Sequence, residues 1–137
     1  MEGSMILVID DDPDILEILR ITLEANSYKV STASSGTEGL AAIKRIKPDL
    51  IILDVMMDTI TEGFQVSYKL RNPDPASEYA EFVKMPILML TGIREKTKMK
   101  FSPHADGAYL PVDDYLEKPV QPKVLLDKVK TLLQDRS

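Results

Sequence analysis

The 137-residue chain contains no cysteine. That absence excludes a disulfide scaffold, a zinc–thiolate site, an iron–sulfur cluster and a cysteine nucleophile. Tryptophan is absent as well, and there is one histidine. His104 lies between Pro103 and Gly107 with no second histidine in the chain, which reads as a surface loop residue and not as a phosphorelay group or metal ligand. Long apolar runs are also missing. Leu50 to Leu53 and Met85 to Leu90 are far below the roughly 20 residues a membrane-spanning helix needs, and no charged segment leads into an apolar run at the start. A cytoplasmic protein without a membrane partner is expected. Positive charge is in short supply: Lys+Arg total 17 against Asp+Glu 22, a net charge of −5. A chain whose main task is gripping phosphate backbones would show the opposite balance, so direct nucleic-acid binding is not expected.

What is present describes one domain. Hydrophobic residues make up 44% of the chain, and a domain of this size buries roughly two thirds of its unfolded surface. Residues 1–4 precede a second methionine and read as a leader or remnant, leaving a domain over 5–134. Met5-Ile6-Leu7-Val8-Ile9 is a continuous apolar run, as expected of a strand buried on both faces, and it ends in Asp10-Asp11-Asp12. Pro13 follows Asp12 as a first helical residue follows its N-cap, and Ile15, Ile18, Leu19 and Leu23 form one apolar stripe. Tyr28 to Thr32 reads as a second strand. Ser35-x-x-Glu38 is a capping box for a helix with Leu40, Ile43 and Ile46, stopped by Lys47-Pro48. Leu50–Leu53 ends in Asp54, Ile87–Leu90 ends in Thr91-Gly92, and a short strand near Tyr115-Leu116 ends in Glu117-Lys118-Pro119. Pro122 opens a last helix striped by Leu125, Leu126, Val129, Leu132 and Leu133. Strands alternating with helices predict an α/β fold, a parallel sheet covered on both faces. The pattern is weak over 72–84 and 93–113, where Pro103, Gly107 and Pro111 leave room for only a short or irregular fourth helix.

In such sheets ligands bind outside the carboxyl ends of the strands. Asp10, Asp11, Asp54, Thr91 and Lys118 all stand at such ends. Converging carboxylates repel one another unless a cation joins them, and a hard divalent ion with oxygen ligands, Mg²⁺, suits the set.

Together Val8-Ile9-Asp10-Asp11-Asp12-Pro13, Pro48 to Met57, Leu90-Thr91 and Asp113 to Pro119 resemble the response-regulator receiver domain of two-component signalling, over essentially Met5 to Gln134. The resemblance implies a doubly wound, flavodoxin-like five-stranded sheet of order 2-1-3-4-5. It implies that Asp54 is the phospho-acceptor and that Asp10, Asp11 and Asp54, with the Met56 carbonyl, hold Mg²⁺. Thr91 and Lys118 would contact phosphoryl oxygens, Tyr115 would be an aromatic switch, and the Lys118–Pro119 bond would be cis, with Gly92 beside the site. A histidine kinase or histidine phosphotransfer protein would be the donor, a phosphorylation-dependent dimer fits the family, and the chain would not be an enzyme beyond its own phosphorylation and dephosphorylation. Two other readings stand beside it: a Mg²⁺-dependent phosphohydrolase with Asp54 as nucleophile, against which Met56 occupies the usual place of a second acid, and a pseudo-receiver, whose expected loss of an acid or the lysine is absent. The sequence departs from the family after Asp54, where Asp58 and Glu62 add charge and a Pro-Gly turn is missing. The separations from Asp54 to Thr91 and from Thr91 to Lys118 both exceed the usual spacing, and Gly92 predicts a more open site with quicker loss of phosphate. The basic residues Arg94, Lys96, Lys98 and Lys100 read as the wet side of a short helix, and Leu110-Pro111-Val112 as an apolar contact of its own.

Overall fold

The computed structural model describes residues 3–54, 66–72, 74–91 and 113–135. Five strands, β1 (Met5–Ile9), β2 (Lys29–Ala33), β3 (Leu50–Asp54), β4 (Ile87–Thr91) and β5 (Asp114–Glu117), form one parallel sheet of order β2-β1-β3-β4-β5. Helices α1 (Pro13–Glu24), α2 (Gly36–Ile46) and α3 (Pro122–Asp135) cover it, with helical backbone also over 66–70. The expected architecture is therefore present. The region of the fourth helix, the basic run, His104 and Leu110-Pro111-Val112 lie outside the described residues, as do Met56, Asp58, Glu62 and Gly92.

Unbroken apolar runs make sense once each strand is split by its two-residue period. Leu7, Ile9, Ile51, Leu53 and Ile87 face Leu40, Ala42 and Ile43 of α2, and also Val66 and Leu70. Ile6, Val8, Leu50, Ile52, Leu88, Leu90 and Leu116 face Leu19 and Leu23 of α1 and Leu125, Val129 and Leu133 of α3. The α1 stripe is narrower than the sequence suggests. Ile18 is 54% exposed because it lies about 100° round the helix from Leu19, and Leu16 packs inward in its place.

The caps follow the sequence closely. An Asp12 carboxylate oxygen accepts from the Asp14 amide at 2.9 Å, and Ser35 Oγ accepts from the Glu38 amide at 3.1 Å. Glu38 reaches back one residue further than the capping box implies, accepting from the Ser34 amide at 3.4 Å. Lys47 closes α2 in the left-handed region at φ 48, just before Pro48.

Helix α2 lies against β1 so closely that a Cβ on Gly39 would stand 2.4 Å from Ile9 Cδ1 and 2.9 Å from its Cγ1. Gly39→Ala gains helix propensity, but Ile9 is fully buried and has nowhere to retreat. The expected result is a net loss of roughly 1–2 kcal/mol in chemical denaturation. Adding Ile9→Val, which removes Cδ1, should return part of that loss, and strictly additive losses would contradict the packing account.

The long stretch before β4 is a built piece of the core. A 3₁₀ turn at Ala80–Phe82 lets Tyr79, Phe82 and Met85 join the apolar layer under α2, and Lys44 of α2 pairs with Glu78 and lies over the Tyr79 ring, 5.0 Å from its centroid. Arg71 Nη1 donates to the carbonyls of Val83 at 2.9 Å and Met85 at 2.7 Å, while its other terminal nitrogen pairs with Asp113. Asp113 in turn accepts from the Ile87 amide at 2.7 Å, and its own amide donates to Ile87 O at 2.9 Å. One guanidinium thus ties the inserted stretch to the start of both β4 and β5.

Candidate functional site

Strand register brings the polar groups together. Ile9 pairs with Leu53, so Asp10 follows on β1 where Asp54 ends β3; Asp54 pairs with Leu90, and Thr91 with Glu117, the residue before Lys118. These ends form one row along the carboxyl edge of the sheet, astride the reversal of strand order between β1 and β3, where α/β ligand sites belong. A second strand run one residue out of register would turn these side chains into the opposite layer.

The row is strongly charged and largely dry. Asp10 is 0% and Asp54 1% exposed, whereas Asp11 faces solvent. Lys118 Nζ lies 3.3 Å from Asp54 Oδ1 and 3.6 Å from Asp10 Oδ2, with the lysine side chain 27% exposed. One Asp10 oxygen accepts from the Asp12 amide at 2.9 Å; the other, Oδ2, is buried with no hydrogen-bond donor. Carboxylate oxygens of Asp10, Asp11 and Asp54 all lie within 4.8 Å of one another. The Lys118–Pro119 bond is cis, as the resemblance implies. Thr91 ends β4 at the same level. Tyr115 lies on β5, half-buried, with Lys128 Nζ 5.7 Å from its ring centroid.

Burial pushes the Asp10 carboxyl from 3.8 up to about 7; the nearby Asp54 charge adds to this, while the Asp12 amide and Lys118 oppose it. For Lys118, burial acts to lower the pKa, but Asp54 and Asp10 outweigh it and hold the ammonium above its ordinary value of 10.5. Lys118 therefore stays charged, and Asp10 is the group that gives way. Its folded pKa exceeds its unfolded one, so its contribution to stability is complete below about pH 3.8 and is lost as pH rises through about 7. In EDTA, the unfolding free energy should fall between about pH 4 and 7 by up to a few kcal/mol, and Asp10→Asn should flatten that slope. Parallel pH profiles for the two proteins would place the titrating group elsewhere.

The donor set fits a hard divalent cation. Three carboxylates around one point, with a buried oxygen lacking a donor, form an all-oxygen cluster whose repulsion a cation removes. The sequence had identified Asp10, Asp11, Asp54 and Lys118 together, and the fold unites them. Met56 and Gly92 fall outside the described residues, as does the Thr91 side chain. Sequence reasoning assigns no role to Asp114 and Lys128, whose carboxylate and ammonium meet at 3.0 Å beside Tyr115; the clue available is an acid next to the tyrosine and a lysine on the apolar-striped helix that follows.

Comparison with known proteins agrees with this geometry. The family model for the response regulator receiver domain matches residues 6–130. The alkaline phosphatase synthesis transcriptional regulatory protein PhoP of Bacillus subtilis is 37% identical over 132 residues, covering 96% of this chain and 49% of that protein. The DNA-binding dual master transcriptional regulator RpaA of Synechocystis is 36% identical over 129 residues, covering 94% and 48% respectively. The chain thus spans about half the length of these curated relatives. Among solved structures, a CheY-like response regulator receiver domain protein from Methanospirillum hungatei superposes with a TM-score of 0.74 at 30% identity, covering 98% of this chain and 96% of that one. With an acidic cluster, a lysine and a cis proline at the strand ends of a 2-1-3-4-5 sheet, the chain belongs to the response regulator receiver domain family.

Proposed function

We propose that Asp54 accepts a phosphoryl group from a phosphohistidine of a histidine kinase or phosphotransfer protein. The observation that carries this reading is the Lys118 ammonium set 3.3 Å from a buried Asp54 carboxylate. Asp54 sits at the end of a fully buried strand, so its oxygen is aimed by rigid backbone. In the transfer the P–N bond to the donor histidine breaks as a P–O bond to Asp54 forms, and the leaving imidazole takes a proton. Charge on the equatorial phosphoryl oxygens calls for fixed positive partners, and Lys118 supplies one. Thr91 supplies a hydroxyl donor from the neighbouring strand end. Asp10, Asp11 and Asp54, with the Met56 carbonyl, would hold Mg²⁺. Bound there, the ion would offset the acids' mutual repulsion and neutralise phosphoryl charge.

Phosphorylation replaces one carboxylate charge by roughly two negative charges and adds three acceptor oxygens, which draws Thr91 and Lys118 toward Asp54. Lys118 follows directly on β5, so that movement reaches Tyr115 three residues earlier on the same short strand. The output is a changed surface read by a partner or by a second copy of the chain.

Acetyl phosphate with Mg²⁺ should add one phosphoryl mass to the intact protein, and EDTA should suppress the gain by at least tenfold. No gain in Mg²⁺ would refute the acceptor role. Turnover of a generic phosphate ester would instead favour the phosphohydrolase.

A further inference from the structure

β5 has four residues and lies at the edge of the sheet, so little but its neighbours fixes the side chains on it. Leu116 is buried in the layer between β5 and α3; Tyr115, one residue earlier, leans the other way and stays half-buried. A cation from α3 is among the groups that meet the ring. Lys128 Nζ lies over the ring at 5.7 Å from its centroid, and Asp114 Oδ2 holds the same ammonium at 3.0 Å. Beside them opens a cavity of about 450 Å³, bounded by Tyr115, Lys118, Pro119, Gln121, Val124 and Lys128. An aromatic ring at the wall of an open cavity larger than itself has room for a second position, and a tethered cation on its face stabilises the first.

We propose that Lys128 is a positioning residue: tethered by Asp114, it holds the Tyr115 ring in the place seen here and so sets the balance between the two ring positions. The proposal rests on the phospho-acceptor reading and names a regulator of that site. Lys118 forms part of the same cavity wall, so the ring and the phosphoryl site share a boundary. On this proposal the acceptor reacts faster with the ring in its other place, so uptake scales with the population of that place, and what favours the first place slows uptake by the same factor. A cation over an aromatic face at a partly exposed site shifts such a balance by roughly two- to fivefold. Lys128 therefore restrains phosphorylation in the resting protein, and the restraint is small enough for a phosphoryl group to overcome.

Two variants test this. Lys128→Met keeps the aliphatic stem and removes the charge; Lys128→Arg keeps the charge. The Tyr115 χ1 population, from Hα–Hβ couplings assigned with Tyr115→Phe, is read in the unphosphorylated protein. The initial rate of phosphoryl mass gain from acetyl phosphate with Mg²⁺ is read alongside it. Lys128→Met should move the χ1 population and raise the rate, each by roughly two- to fivefold, and Lys128→Arg should return both toward wild type. An unchanged χ1 population in a folded Lys128→Met protein overturns the proposal, as does a changed population that Lys128→Arg fails to restore. A slower phosphorylation in Lys128→Met overturns it too, since a purely structural lysine would act in that direction. Absence of phosphoryl uptake by the wild type is a different result: it removes the acceptor reading, while the χ1 measurement still decides whether Lys128 holds the ring.

Discussion

Asp54→Asn should take up no phosphoryl group under conditions that load the wild type fully. The amide has the shape of the carboxylate and none of its nucleophilicity, and no neighbouring acid can substitute. Asp10 is fully buried and pinned by the Asp12 amide, and Asp11 lies at the exposed rim and not at the end of a buried strand. Lys118→Met tests the other half of the site. It removes the cation that lies 3.3 Å from Asp54 and 3.6 Å from Asp10, leaving two buried acids to face each other. The loss of one fixed positive group at developing oxyanions typically costs about 10²–10³ in rate, and a drop of that size is expected in the time course of mass gain. The two variants should differ in kind: Asp54→Asn gives no product at any time, whereas Lys118→Met reaches the same product slowly. Wild-type labelling of Asp54→Asn would put the acceptor on another side chain.

That site was legible because its parts occupy strand ends. Each of Asp10, Asp54 and Thr91 closes an apolar run, and Lys118 directly follows β5, so the two-residue period and parallel pairing bring them into one row without any knowledge of the loops. The inserted stretch was not legible in the same way. Tyr79, Phe82 and Met85 recur every three residues, the period of a 3₁₀ turn, but so short a repeat between prolines competes with the appearance of a polar loop. The α1 stripe misplaced Ile18 because spacing alone cannot say where an apolar arc ends; α3 and β2 decide that by covering Leu19 and Leu23 and leaving Ile18 outside. The Tyr115–Lys128–Asp114 group and the Arg71–Asp113 pair escaped for a related reason: each joins residues far apart in sequence, and no local pattern records which cation meets which acid.

Arg71 carries the second large effect. Its side chain is 18% exposed, and its guanidinium satisfies two carbonyls, those of Val83 and Met85, that no other described donor reaches by the bonds seen here. It also pairs with Asp113, which is itself committed to the Ile87 amide. Arg71→Met keeps most of the stem's packing and removes every one of these bonds. Charge-assisted hydrogen bonds contribute about 1.5–3 kcal/mol each when buried, while the Asp113 pair, 40% exposed on the acid side, adds little beyond them. A loss of roughly 2–4 kcal/mol is therefore expected from denaturant midpoints at unchanged slope. Arg71→Lys should recover only a small part, because an ammonium cannot span two carbonyls and a carboxylate with the geometry of the planar fork. The site lies at the opposite end of the sheet, so what Arg71→Met loses in stability it should not lose in phosphoryl uptake at a temperature where it remains folded. Equal stability of Arg71→Met and wild type would mean that the apolar residues Tyr79, Phe82 and Met85 hold the inserted stretch unaided. Reduced uptake in the folded variant would mean that strain at the start of β4 and β5 is transmitted along both strands to Thr91 and Lys118.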